Sequence, residues 1–200
     1  MKILVVGGTG TIGSAVVKEL RQRHEVITAG HNSGDIQLDI GSRTAIEKMY
    51  QSIPKLDAVI ATAGDAHFGP LSEMTEEQFY KGLKSKLMGQ VNLVLIGQNY
   101  LNAHGSFTLT SGILSQDPIR MGANPATINA AIDGFVKAAA LELPNGIRIN
   151  SVSPTIVSES FAELASFFRG YKPVPAAEVA LAYSKSVEGA QTGQNYRVGY

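Results

Sequence analysis

Short runs rich in β-branched residues alternate with amphipathic stretches along the chain, the pattern of successive strand–helix–strand units that build a parallel sheet. Residues 3–6 read as a buried strand and 14–22 as the helix after it. Residues 26–29 read as a second strand, stopped by the turn signal Gly30-His31-Asn32-Ser33-Gly34. Only a few residues separate that turn from Ile36-Gln37-Leu38, so the usual crossover helix is missing or reduced to a turn. Residues 42–52 predict a helix and 58–61 a strand. Residues 75–101 predict one long helical region with Glu76 and Glu77 in its first turn, and 107–110 a fifth strand. From residue 125 to 143 the stripe Ile128, Ile132, Phe135 and Ala139 recurs at helical spacing, with Asn124 expected as N-cap and Pro125 as the first helical residue. Strands at 147–152 and 196–198 complete an α/β domain, a doubly wound parallel sheet of about seven strands over residues 1–200 with no linker.

Composition narrows the function classes. Seventeen Lys and Arg balance 17 Asp and Glu, which argues against an electrostatic grip on nucleic acid or an anionic membrane. There is no cysteine, hence no disulfide, thiolate metal site or cysteine nucleophile, and no metal site is expected. No apolar run approaches the roughly 18 residues of a membrane span. The opening apolar run breaks at Gly7-Gly8, too short for a signal segment, so the expected location is the cytoplasm. Glycine is over-represented, with 21 residues, which directs attention to the turns.

Gly8-Thr9-Gly10-Thr11-Ile12-Gly13 follows the first strand directly and opens a helix, and Gly7, Gly10 and Gly13 overlap it at three-residue spacing. In that place glycines permit a tight turn, let backbone N–H groups approach a pyrophosphate and allow close helix–strand packing. The helix N-terminus adds partial positive charge. The alternative is a glycine-rich turn that holds no ligand. The end of the second strand distinguishes the dinucleotides: a carboxylate there accepts from the ribose hydroxyls of NAD, and a basic group accommodates the 2′-phosphate of NADP. Here stand His31, Asn32 and Ser33, with no acid before Asp35. A protonated His31 would pair with a phosphate while Asn32 and Ser33 donate hydrogen bonds, so the segment leans towards NADP over NAD. The other reading makes His31 an ordinary exposed turn residue.

The glycine loop, Leu38-Asp39-Ile40, Ala61-Thr62-Ala63-Gly64, the stretch from Gly146 to Pro154 (GIRINSVSP) and Thr192-Gly193-Gln194 resemble, in this order and over essentially the whole chain, the motifs of the short-chain dehydrogenases/reductases. The resemblance implies a single Rossmann-like NAD(P)-binding domain. Gly7, Gly10, Thr11, Ile12 and Gly13 would then hold the pyrophosphate, Asp39 would sit by the adenine, and Ala61, Ala63 and Gly64 would line the ribose. Ser153, Pro154, Thr155 and Ile156 would approach the nicotinamide. The two positions before Ala63 are usually asparagines in the family and are Ala61 and Thr62 here.

The family's acid is a tyrosine with a lysine four residues later on the same helix face. Counted back from Ala140-Leu141-Glu142-Leu143, the tyrosine position holds Pro125 and the lysine position Asn129; no tyrosine occurs between Tyr100 and Tyr171. The serine position aligns with Gly112, with Ser111 one place before it, and the asparagine of the proton relay aligns with Lys86. Lysine and asparagine are thus exchanged between two helices that face one pocket in the family. Lys86 would supply its ammonium from the opposite wall, and Asn129 would still donate to ribose hydroxyls; otherwise Lys86 is a surface or interface lysine. His67, three residues after Gly64, is a candidate proton donor or a loop histidine partnered by Asp65 or backbone. Ser111 would orient a carbonyl or merely end its strand. His24 and His104 read as solvated loop residues.

Two functions follow. One is an NAD(P)(H)-dependent oxidoreductase on a small carbonyl or alcohol, with a non-standard site drawn from Lys86, Ser111, His67 and Asn129. The other is a dinucleotide-binding sensor or scaffold without hydride transfer. The resemblance implies that residues 158–171 cover the pocket, and Phe161, Phe167 and Phe168 make them an apolar lid or a core plug. The resemblance also implies a homodimer or homotetramer paired through the fourth and fifth helices, where Ala138-Ala139-Ala140 would allow close packing; otherwise these residues pack within the monomer.

Overall fold

A computed structural model describes residues 1–200. Seven strands, β1 (Lys2–Val6), β2 (Glu25–Gly30), β3 (Ile36–Gln37), β4 (Leu56–Ala61), β5 (Leu101–Thr110), β6 (Arg148–Pro154) and β7 (Asn195–Val198), form one sheet in the order β3-β2-β1-β4-β5-β6-β7. Every pairing is parallel. The helices are α1 (Thr11–Leu20), α2 (Arg43–Ser52), α3 (Glu76–Gly82), α4 (Gly89–Gly97), α5 (Ala123–Ala139), α6 (Ser158–Leu164) and α7 (Ala176–Glu188). The period of two along β1 explains the two-sided core. Leu4 and Val6 join the α2, α4 and α5 side chains, whereas Ile3 and Val5 join those of α1 and α7. Strand order reverses at β1 and β4, which opens a crevice beyond their carboxyl ends. No helix is long and apolar enough to cross a membrane.

Several elements differ from the sequence pattern for identifiable reasons. Residues 75–101 are not one regular helix. Thr75 and Gln78 form a capping box that starts α3, Leu83–Met88 is a π-helical turn, and α4 stops at Gly97. Leu101 already belongs to β5, pairing with Leu56 ahead of a register irregularity. Apolar residues run almost continuously through α4, the exposed Leu95 among them, and left no periodicity to mark its end. Helix α7 was not anticipated; its buried stripe is Val179, Ala180, Tyr183 and Val187. His24 is not solvated: its Nε2 lies 2.7 Å from Glu188 Oε1, and its side chain is only 11% exposed.

Asn124 does not cap α5, which begins at Ala123. Its amide is fully buried and ties three elements together, with Oδ1 accepting from His67 N–H at 2.9 Å and Nδ2 donating to the Phe79 carbonyl at 2.8 Å. Asn124→Ala strands both backbone groups, so a loss of about 2–4 kcal/mol is expected. Urea unfolding of the variant checks this, and a midpoint equal to wild type would contradict the clamp.

Candidate active site

The glycine loop is held by contacts that only glycine permits. Gly7 has φ +84°, and a Cβ there would stand 2.8 Å from both Ala63 N and Thr62 Oγ1. A Cβ on Gly13 would run into the Gly7 carbonyl and stand 2.7 Å from Thr62 Oγ1. This packing lays the start of α1 directly on the β1 loop. The N-cap Gly10 offers no side-chain bond and the first turn holds no acid, so the N-terminal charge of α1 is neither capped nor neutralised by its own chain. A cavity of about 370 Å³ beside the loop is lined by Gly7, Thr9, Gly10, His31, Asp39 and Gly64, among others. A cradle that a Cβ would fill, facing a free helix N-terminus, fits the pyrophosphate of a dinucleotide.

Asp35 is turned away from that cavity. Its Oδ2 accepts from Thr28 N–H and Oγ1, both at 2.8 Å, and these bonds hold its carboxyl below the usual carboxylate range. His31 lines the cavity, with Nδ1 3.0 Å from Asn32 Oδ1, and Ser33 Oγ donates to Thr9 Oγ1 at 2.8 Å. Asp39 also lines it and accepts from Gly41 N–H at 2.9 Å. Ala63 and Gly64 line it too, but Ala61 does not. Ala61 is buried in β4 with its carbonyl taken by Thr110 Oγ1, and Thr62 stands at the cavity in its place. Thr11 is exposed at the start of α1.

A second cavity, of about 330 Å³, continues past Gly64 and Asp65, which line both. Ile12, Thr155 and Ile156 form part of its wall, as do Pro125 and Phe168. Lys86 enters from the π-helical turn. Gly64, at φ +121°, makes room for it, since a Cβ there would stand 2.5 Å from Lys86 Cα. The ammonium donates to Asn129 Oδ1 at 2.8 Å and to the Ser111 carbonyl at 3.3 Å. An ammonium has three N–H groups, so one is left over at the cavity wall. Burial pulls the Lys86 pKa down to about 8, opposed by the field of Asp133. Asn129 fills the space that a side chain at 112 would need, because a Cβ on Gly112 would stand 2.8 Å from Asn129 Nδ2.

Ser111 spends its hydroxyl proton on the Asn129 carbonyl at 3.1 Å, so it has none to offer a bound carbonyl in this arrangement. His67 is not brought to the cavity. Ala66 and Phe68 line it, and the extended loop between them turns His67 away. Phe168 and the half-buried Phe161 and Phe167 pack with Ile113, Leu114 and Ile156 under residues 158–171.

Two polar residues that sequence reasoning passed over support this wall. Gln90 is fully buried and brackets Thr110, accepting from its N–H at 2.8 Å and donating to its carbonyl at 3.0 Å. Asp133, one turn beyond Asn129 on α5, accepts from Ser115 Oγ at 2.9 Å and Ser151 Oγ at 3.1 Å. A polar residue inside an apolar helical stripe was the available signal for both.

Comparison with known proteins decides the family. Residues 8–186 match the family model described as enoyl-(acyl carrier protein) reductase. The chain belongs to the short-chain dehydrogenases/reductases. It is 52% identical to the protein lin1944 from Listeria innocua, whose crystal structure superposes with a TM-score of 0.98 over 99% of each chain. A crystal structure of a small-chain dehydrogenase in complex with NADPH is 29% identical, with a TM-score of 0.88 over 99% of this chain and 96% of that one. Human L-xylulose reductase is 26% identical over 180 residues, 81% of this chain and 74% of that protein. The short-chain dehydrogenases/reductases are dinucleotide-binding oxidoreductases, and the protein shares their fold.

Proposed function

We propose that the protein is an NADP(H)-preferring reductase or dehydrogenase of a small carbonyl or alcohol, in which Lys86 takes the place of the family's tyrosine. The observation that carries this reading is the Lys86 ammonium, fixed by Asn129 Oδ1 and the Ser111 carbonyl with one N–H left at the cavity. Gly7, Gly10, Thr11, Ile12 and Gly13 hold the pyrophosphate, Asp39 the adenosine, and Asn129, Thr155 and Ile156 flank the nicotinamide end. When bound, the dinucleotide supplies or accepts the hydride. Lys86 Nζ holds the proton for the substrate oxygen. An ammonium with a pKa of about 8 donates to a developing alkoxide and, once neutral, takes the proton back from an alcohol. Pro125 closes the tyrosine position with a ring that carries no exchangeable proton. Ile113, Leu114, Ile156 and Phe168 keep the cavity apolar and small, which selects short substrates.

The test is a panel of small aldehydes, ketones and alcohols, offered with NADPH and NADH in calorimetry and in turnover assays. Binding with turnover of a carbonyl supports the reading. Binding without turnover across the panel selects the other function, a dinucleotide sensor or scaffold, which Pro125 and the lack of any cavity-lining tyrosine favour. Absence of both removes the oxidoreductase.

A homodimer or homotetramer belongs to the same proposal. Val94, Leu95, Phe135, Ala139 and Leu143 line a groove between α4 and α5, and Leu95 is 45% exposed there. Light scattering is expected to give a multiple of the chain mass for wild type and the single-chain mass for Leu95→Lys. A monomeric wild type would contradict pairing.

A further inference from the structure

We infer that His31 makes the choice between the two dinucleotides depend on pH, admitting the 2′-phosphate of NADP(H) while its imidazole is protonated and losing that preference when it is neutral. This rests on the glycine-loop cavity being a dinucleotide site.

The charge inventory of that cavity is unusual for a phosphate receptor. No lysine or arginine lines it, and its ionisable side chains are His31, Asp39 and Asp65. The two carboxylates repel a phosphomonoester, which leaves His31 as the single side chain able to bring positive charge. Neighbouring elements do not replace it. Residues 9–14 of the loop and α1 contain no charged side chain, and the Ser85 that lines the cavity from the π turn is neutral. Arg21, at the far end of α1, faces Asp35 Oδ2 at 3.9 Å, and Asp35 itself is occupied by Thr28. Thr9 and Ser33 supply hydroxyls, 2.8 Å apart, but no charge.

The contact with Asn32 sets how His31 responds to a proton. Nδ1 faces Asn32 Oδ1 at 3.0 Å, an acceptor, so the neutral ring keeps its proton on Nδ1 and leaves a lone pair on Nε2. A lone pair repels a phosphate oxygen. Protonation turns Nε2 into a charged donor, so one proton changes both the sign of the hydrogen bond and the charge. His31 is exposed while lining the cavity, so its ring exchanges protons with solvent. NADH lacks the phosphomonoester, so its binding has no reason to follow this titration.

The experiment is calorimetric titration of the full chain with NADPH and with NADH at pH 6.5 and 8.5. This range keeps the phosphate, whose second pKa is about 6, mostly dianionic. The ratio of the NADH to the NADPH dissociation constant is expected to fall roughly tenfold between the two pH values, the worth of one charge-assisted hydrogen bond. His31→Gln is expected to lose that dependence, and His31→Arg to hold the NADPH preference at both pH values. A wild-type ratio that does not change with pH, or a change that persists in His31→Gln, overturns the inference and leaves the dinucleotide site standing. Binding of neither dinucleotide at millimolar concentration overturns both.

Discussion

Lys86→Met is expected to lower kcat/KM for carbonyl reduction by about two to three orders of magnitude, the usual loss when one preorganised donor to a developing oxyanion is removed. Affinity for NADPH should stay within about threefold, because methionine keeps the length and apolar stem that pack along the π turn. In wild type the reductive kcat/KM falls as pH rises through about 8, where Lys86 gives up its proton; in the variant that limb disappears. Stability moves the other way. Lys86 has a folded-state pKa below its ordinary value of 10.5, so burying the ammonium costs stability below about pH 8, and the cost fades as pH rises towards the unfolded value. Methionine removes that cost but leaves Asn129 Oδ1 and the Ser111 carbonyl without their donor, so urea unfolding of the variant is measured beside its activity to separate lost chemistry from lost fold. Single-turnover oxidation of NADPH measures the chemical step directly. A variant that turns over as wild type does would remove Lys86 from the reaction.

Gly13→Ala is expected to abolish dinucleotide binding and to destabilise the domain by about 1–3 kcal/mol, the range for overpacking a rigid contact. The added methyl meets the Gly7 carbonyl and, at 2.7 Å, Thr62 Oγ1, so either α1 lifts from the sheet or the loop reshapes. Both movements spoil the phosphate cradle. Gly134→Ala is the matching control. That glycine lies within α5 with nothing within 4 Å of an added Cβ, so the alanine should stabilise by up to about 1 kcal/mol. Thermal unfolding with and without NADPH separates the two. A Gly13→Ala protein that still gains stability from NADPH would contradict the cradle.

The parts of this protein that were readable from residues are those specified locally. β1, the glycine loop and the turn at Gly30 each carry their own chemistry, and β3 was expected to follow without a helix because too few residues intervene. The exchange of Lys86 and Asn129 could be counted along the chain. Their 2.8 Å contact could not, because it depends on the π turn, which rotates Lys86 relative to an α-helical register and has no sequence signature. Asn124 looked like a helix cap because asparagine before proline has that propensity; tertiary partners, His67 N–H and the Phe79 carbonyl, outweighed it. Helix α7 escaped notice because alanines and serines dilute its apolar stripe, while burial against the sheet supplies its stability. His67 and Ala61 were placed by order along the chain alone, and the side of the backbone they occupy puts both outside the cavities.

The most direct measurement is a crystal structure of the protein with NADPH bound. The account predicts the pyrophosphate on the N-terminus of α1 and Lys86 Nζ within hydrogen-bond distance of the nicotinamide ribose or of the space beside the nicotinamide. NADPH bound with Lys86 turned out of the cavity, its ammonium more than a hydrogen bond from both, would contradict it.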